Sequence, residues 1–226
     1  MSEPSGHPTK RLTNFPQTTS STILPSHTPG LYVHVPFCSR VCPYCDFAVQ
    51  TGGPKKQFAY VDSLVQEIRS WGAQVRGQGH ALGALALETG QSAPAWLCVE
   101  PFDSVYLGGG TPSSLTLDAL ETVFAALSKA FRFAGDRTVT LEANPEDVTK
   151  ANLAAWRHLG INRLSLGVQS FDDDALCFLG RKHTSGDAIS AVRAALAAAF
   201  DVVSLDLIYS VPGQSADSWL LTLEQA

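Results

Sequence analysis

From Gly30 onward the apolar positions of this chain switch repeatedly between the period of two of a strand and the period of 3.6 of a helix. Residues 31–36, Leu-Tyr-Val-His-Val-Pro, alternate and predict a first strand. Over 55–75, Phe58, Val61, Leu64, Val65, Ile68 and Trp71 fall on one helical face. The alternation then recurs. Ser104 to Leu107 predicts a second strand, and Leu117, Leu120, Phe124, Leu127 and Phe131 mark a second helix. Thr138 to Ala143 predicts a third strand, followed by a helix over Lys150–Leu159 that stops at Gly160. Asn162 to Val168 is a fourth strand, with a short helix over 172–180 and a longer one from Asp187 to Phe200. Val202 to Tyr209 is a fifth, and a last helix starts near Ser215 or Asp217 and is still running at Ala226. Strands and helices alternating at this spacing form βαβ units and a parallel sheet. The series predicts an α/β fold, a partial (β/α)6-type barrel truncated at its C-terminus, with a site at the C-terminal ends of the strands.

Each predicted strand carries one apolar and one polar or small face. Val33 and Val35 oppose Tyr32 and His34; Val105 and Leu107 oppose Ser104, Tyr106 and Gly108; Val139, Leu141 and Ala143 oppose Thr138, Thr140, Glu142 and Asn144. Leu164, Leu166 and Val168 oppose Arg163, Ser165, Gly167 and Gln169, and Val203, Leu205 and Leu207 oppose Ser204 and Asp206. Helices must cover the apolar face, so the polar face is predicted to line the interior. Burying Glu142 and Asp206 there would cost several kcal/mol each without a ligand or cation as partner. A solvated polar face is the alternative, although parallel sheets are normally covered on both sides.

Composition narrows the picture. The chain has 226 residues, 45% of them apolar, 16% charged, and a formal charge of −5, enough for one substantial globular core. An acidic chain without a Lys/Arg cluster argues against a nucleic-acid partner. The longest apolar run, Ala188 to Phe200, is broken by Ser190 and Arg193 and falls short of the eighteen or so residues of a membrane span, so any membrane contact would come through a partner. Residues 1–29, rich in Ser, Thr and Pro, read as a disordered extension rather than a secretory leader. Residues 30–226 form the core domain, with an irregular insertion over 77–101.

Of five cysteines, Cys38, Cys42 and Cys45 fall in a Cys-x3-Cys-x2-Cys pattern just after the first strand. An odd count and tight clustering suit metal binding in a reducing compartment, the cytoplasm, better than a disulfide framework. Iron–sulfur clusters are held by cysteine thiolates, one per iron in a four-iron cluster, so three leave one iron open. A structural zinc site would need a fourth ligand, for which His34, Cys98 or Cys177 could be proposed. Gly108-Gly-Gly-Thr-Pro112 follows the second strand, where glycines let a ligand approach the backbone closely. It lacks the Gly-Lys-Ser/Thr of a phosphate-binding loop and the spaced glycines of a dinucleotide fingerprint.

The cysteine motif, with Tyr44 just before its last member, resembles the signature of the radical S-adenosylmethionine (radical SAM) family. Tyr32-Val-His-Val-Pro-Phe-Cys38, Gly108-Gly-Gly-Thr-Pro-Ser113, Glu142-Ala-Asn-Pro145, Gly167-Val-Gln-Ser-Phe171, Leu179-Gly-Arg-Lys-His183 and Asp206-Leu-Ile-Tyr-Ser-Val-Pro-Gly213 resemble one branch of it. That branch holds oxygen-independent coproporphyrinogen III oxidases and HemW-like heme chaperones. The resemblance implies a [4Fe–4S] cluster on Cys38, Cys42 and Cys45, with S-adenosylmethionine (SAM) chelating the open iron. It further implies that Tyr32 packs near the sulfonium and Tyr44 near the adenine, and that Gly109, Gly110 and Thr111 contact the methionyl or adenosyl part. Glu142 and Asp206 would bind ribose or methionyl groups, with Gln169 and Arg181 completing the pocket. The oxidases carry a fourth cysteine two residues after the third; this chain has Phe47 there, as the HemW-like members do. The resemblance thus favours heme binding and delivery to an acceptor protein, with an electron donor as a further partner, over radical decarboxylation of coproporphyrinogen III.

Overall fold

The computed structural model describes residues 28–76 and 101–226; most of the expected N-terminal extension (1–27) and insertion (77–100), with Cys98, lie outside the described residues. In chain order the elements are β1 (Gly30–Val35), β2 (Phe37–Cys38), β3 (Gln50–Thr51), α1 (Pro54–Val75), β4 (Phe102–Gly109), α2 (Leu117–Ala130) and β5 (Phe133–Ala143). There follow α3 (Lys150–His158), β6 (Arg163–Gln169), α4 (Asp173–Phe178), α5 (Ser185–Ala197), β7 (Val202–Leu207) and α6 (Ala216–Gln225).

The central sheet has five strands in the order β1-β4-β5-β6-β7, every neighbouring pair parallel. Each strand thus lies beside the next in sequence, the neighbour order of a barrel wall, with no reversal of the kind a doubly wound sheet has at its switch point. Period two decides the faces. Val33, Val35, Val105, Leu107, Val139, Leu141, Leu164 and Leu166 are each at most 5% exposed and join one core with Val61, Val65 and Ile68 of α1, Leu120, Val123 and Leu127 of α2, and Leu153 and Trp156 of α3.

Local chemistry sets the helix starts. Thr116 and Thr149 accept from the amides of Ala119 and Asn152, and Thr184 forms a capping box with Asp187. Pro54 opens α1, where its missing N–H costs nothing.

Departures from the sequence pattern have local causes. β4 starts at Phe102 and β5 at Phe133, earlier than alternation indicates, because the Phe102 amide bonds the Arg132 carbonyl and its ring packs edge-on against Phe131. Thr28, placed in the extension by composition, donates to Asp103, and the Pro29 carbonyl accepts from the Asp103 amide, so the main body begins slightly earlier. β7 ends at Leu207 rather than Tyr209, followed by Ser210 with a positive φ of 61°. The parallel pair of β2 with β3, two residues each, is too short to show any periodicity. Among the described residues no helix is long and apolar enough to cross a membrane.

Candidate functional site

The cysteine loop is closed at its base by hydrogen bonds of the chain itself. Phe37 and Cys38 pair with Gln50 and Thr51, and the Gln50 amide donates to the Pro36 carbonyl at 2.7 Å. Within the loop, the Cys45 amide bonds the Cys42 carbonyl at 3.0 Å, a tight turn that holds the last two cysteines near each other. The glycine-rich end of β4 lies against this base: the Gly110 amide donates to Val35 and the Thr111 amide to Phe37, both at 2.7 Å. No side chain fits there. A Cβ on Gly110 would sit 2.7 Å from the Phe37 carbonyl oxygen, and Gly109, at φ +113°, would place one 2.5 Å from the His34 ring.

These elements open onto a cavity of about 650 Å³ at the C-terminal ends of the strands. Its wall brings together Cys38, Cys42, Cys45, Tyr44, Gly109, Gly110, Thr111, Glu142, Gln169, Arg181 and Asp206, every residue that sequence reasoning assigned to the site except Tyr32. Tyr32 stands beside the wall, 60% exposed, its ring stacked 6.1 Å from Tyr106 and its hydroxyl 3.2 Å from His34 Nδ1. Because His34 Nε2 faces the Ala48 carbonyl at 3.1 Å, that nitrogen must donate, leaving Nδ1 to accept from Tyr32. His34 is therefore engaged at both nitrogens and is no fourth metal ligand; Cys177 lies exposed on α4.

Glu142 accepts from the Tyr106 hydroxyl at 2.7 Å and the Gly109 amide at 3.0 Å. Ser165 donates to Asp206 at 3.1 Å. The expectation that Glu142 and Asp206 are buried needs correction: Glu142 is half-buried and Asp206 exposed, because the cavity is open and β7 is an edge strand. Burial still raises the Asp206 carboxyl above its ordinary range, with the Ser165 hydroxyl opposing. Tyr106 is raised by burial and by its bond to Glu142, which keeps its proton on the hydroxyl. Gln169 adopts a positive φ of 67° just after a register shift between β6 and β7, a strained backbone for a non-glycine residue at the cavity wall.

The electrostatics around the thiols suit a cationic metal core. Cys38 is raised by burial and by Cys45 and Cys42, with the Thr111 hydroxyl and Arg181 acting the other way. Tyr44 is pushed up to about 12, chiefly by burial, against the opposing field of Arg181. Thr111 lies 3.4 Å from Cys38 Sγ, and Arg181 Nη1 lies 3.7 Å from Cys42 Sγ. Among the described residues no group of three His, Cys, Asp or Glu side chains converges on a single-ion position, as a mononuclear zinc site requires. Thiolates that each bind a different iron need no such convergence, so the donor set fits a polynuclear cluster.

A family model described as the radical SAM superfamily matches residues 96–226. The chain belongs to the radical SAM superfamily. The match begins after the cysteine loop, whose assignment rests on its spacing and its place in the cavity. Among curated relatives, the heme chaperone HemW of Lactococcus lactis is 33% identical, over 82% of this chain and 42% of that protein. HemW of Mycobacterium tuberculosis is 36% identical, over 90% of this chain and 47% of its own. Among solved structures, the radical SAM enzyme coproporphyrinogen III oxidase (HemN) of Escherichia coli aligns with a TM-score of 0.70 at 27% identity, over 87% of this chain and 40% of that one. The chain thus spans less than half the length of these relatives.

Sequence reasoning missed several wall residues. Tyr106, which holds Glu142, shares its strand face with Ser104 and was visible by alternation. Asn144 was quoted within a motif but given no role. Ser165 and Glu146 also line the cavity. Glu146 carried no signal: it lies beyond β5, and only the fold brings it 3.5 Å from the buried His183. Burial would raise Glu146, but its bond with His183 and the nearby Arg181 hold it below the ordinary carboxylate range.

Proposed function

We propose that this chain is the SAM-binding core of a HemW-like protein that binds heme and hands it to an acceptor protein. Cys38, Cys42 and Cys45 would hold a [4Fe–4S] cluster, and Gly109, Gly110 and Thr111 would bring backbone amides to SAM. Glu142 and Asp206 would take its hydroxyl or amino groups, with Gln169, Arg181 and Tyr44 closing the pocket and Tyr32 flanking it. When bound, the reduced cluster supplies one electron to the sulfonium of SAM. The residues of this chain orient that sulfonium and narrow the access of water. The single observation that carries the proposal is the convergence of the three cysteines with Glu142, Gln169 and Asp206 on one cavity at the strand ends. Clustered free thiols suit a reducing compartment, and we place the protein in the cytoplasm.

Heme delivery is favoured over decarboxylation by Phe47, which stands 73% exposed on the cavity rim where the oxidases carry a fourth cysteine. The likeness to HemN keeps the oxidase as a second reading. Anaerobic reconstitution is expected to load about four irons per chain, and Cys42→Ala to lose them; zinc in their place would sink the radical SAM assignment of the site. For function, a protein extended to the length of the relatives is titrated with heme. A Soret band supports the carrier. No heme binding, together with SAM-dependent CO2 release from coproporphyrinogen III, would establish the oxidase instead.

A further inference from the structure

Two of the three cysteines are joined by an unbroken line of side-chain hydrogen bonds that runs outside the cysteine loop. Arg181 Nη1 donates to Cys42 Sγ at 3.7 Å and Nη2 to Asn144 Oδ1 at 2.6 Å. Asn144 Nδ2 donates to Thr111 Oγ1 at 3.3 Å, and Thr111 Oγ1 donates to Cys38 Sγ at 3.4 Å. The members come from three places: the loop after α4, the residue following β5, and the turn after β4.

Every bond in this line has the same sense. A guanidinium can only donate, so the Asn144 oxygen must face Arg181 and its NH2 must face Thr111. The Thr111 oxygen is thereby occupied as an acceptor, and its proton is left for the sulfur. Arg181 is locked in turn by the Gly167 carbonyl at 3.0 Å. One cation thus polarises both sulfurs, Cys42 directly and Cys38 through two neutral relays, and aligned hydrogen bonds of this kind reinforce one another.

Hydrogen bonds to the cysteine sulfurs and nearby charge are among the levers that set the potential of an iron–sulfur cluster. We propose that Asn144 is a positioning residue that couples Arg181 to Cys38 through Thr111, and so holds the cluster at a less negative potential than the thiolates alone would give. The proposal rests on the cluster assigned above. It adds a residue outside the loop and outside the groups expected to touch SAM.

The test is a double-mutant cycle on the reconstituted full chain, read by the midpoint potential of the cluster in a redox titration followed by electron paramagnetic resonance. Thr111→Val removes the last donor and is expected to lower the potential, by about tenfold in the reduced-to-oxidised ratio at fixed poise, or 59 mV for one electron. Asn144→Asp keeps the acceptor for Arg181 but cannot donate to Thr111, whose hydroxyl then turns to the new carboxylate. Its added charge lowers the potential for a separate reason, so the informative quantity is the second step. In the Asn144→Asp background, Thr111→Val should produce little further shift. Thr111→Ser, which keeps the donor, should sit near the parent protein. Equal Thr111→Val shifts in both backgrounds would overturn the relay. Both substitutions nearly conserve shape, so loss of cluster iron from either would also count against a tuning role. Failure of the parent chain to take up a four-iron cluster would instead refute the functional reading beneath it.

Discussion

On the helix side of the central sheet, Val35, Leu107, Leu141, Leu164 and Leu166 are fully enclosed, whereas on the cavity side Tyr32 is 60% exposed and Tyr106 36%. Both faces hang from the same backbone bonds. One is filled by interlocking side chains that need only the right size and no charge. The other is a spaced set of polar groups, each held by a neighbour: Glu142 by Tyr106 and Gly109, Asp206 by Ser165, Arg181 by Asn144 and Gly167. Adjacent residues on one strand therefore divide between a buried core face and a polar cavity face.

Leu141 and Glu142 put that division to the sharpest test. Leu141→Ala empties a wholly buried site and should cost about 2–5 kcal/mol of folding stability, measured by urea unfolding, with SAM affinity unchanged in the fraction that remains folded. Glu142→Ala should do the reverse. On the proposed function it would remove a charged partner of a bound hydroxyl or ammonium, worth about 1.5–3 kcal/mol, so SAM binding to the reconstituted protein should weaken roughly 10- to 100-fold at small cost in stability. Were Glu142→Ala as destabilising as Leu141→Ala, the cavity face would be structural and the division would fail.

Two smaller effects sharpen it. Thr184→Ala removes the capping box of α5, a helix that packs on the covered side, and should lower stability by about 1 kcal/mol with no effect on SAM affinity. The smallest effect concerns Asp206, whose carboxyl is raised in the fold by burial. A group with a raised folded-state pKa stabilises below its unfolded value and loses that contribution as pH rises through the folded one. Asp206→Asn should thus be neutral to slightly stabilising without ligand near pH 7, by a fraction of a kcal/mol because solvent screens an exposed group. The gain should shrink as pH falls to about 4 and vanish below it, where the carboxyl is protonated in both states. Denaturant midpoints at the two pH values check the sign; an Asn variant less stable at pH 7 than at pH 4, relative to the parent, contradicts it.

Much of this architecture was legible in the chain because its signals are local. Alternation in Val33–Val35 or Thr138–Ala143 reports burial on one side, which the fold confirms residue by residue. Caps such as Thr116, Thr149 and Thr184 act within one turn. The cysteine spacing is likewise a property of eight consecutive residues, Cys38 to Cys45. The two-residue pair that closes the cysteine loop escaped notice because parallel pairing depends on what lies alongside, not on pattern. The positive φ of Gln169 escaped for a related reason: it follows from a register shift between β6 and β7 that neither strand carries in its own residues.

What the amino-acid sequence determined by itself is the order of strands and helices, the face each strand buries, and the close spacing of Cys38, Cys42 and Cys45. These depend on periodicity and spacing along the backbone. What only the tertiary structure decided is which distant groups meet. It set Tyr32 beside the cavity rather than in its wall, left Asp206 exposed on an edge strand, and linked Arg181 to Cys38 through Asn144 and Thr111. Hydrogen bonds between strand ends depend on distances of about 3 Å, set by the register and packing of the whole sheet, and no periodicity along a single segment encodes them.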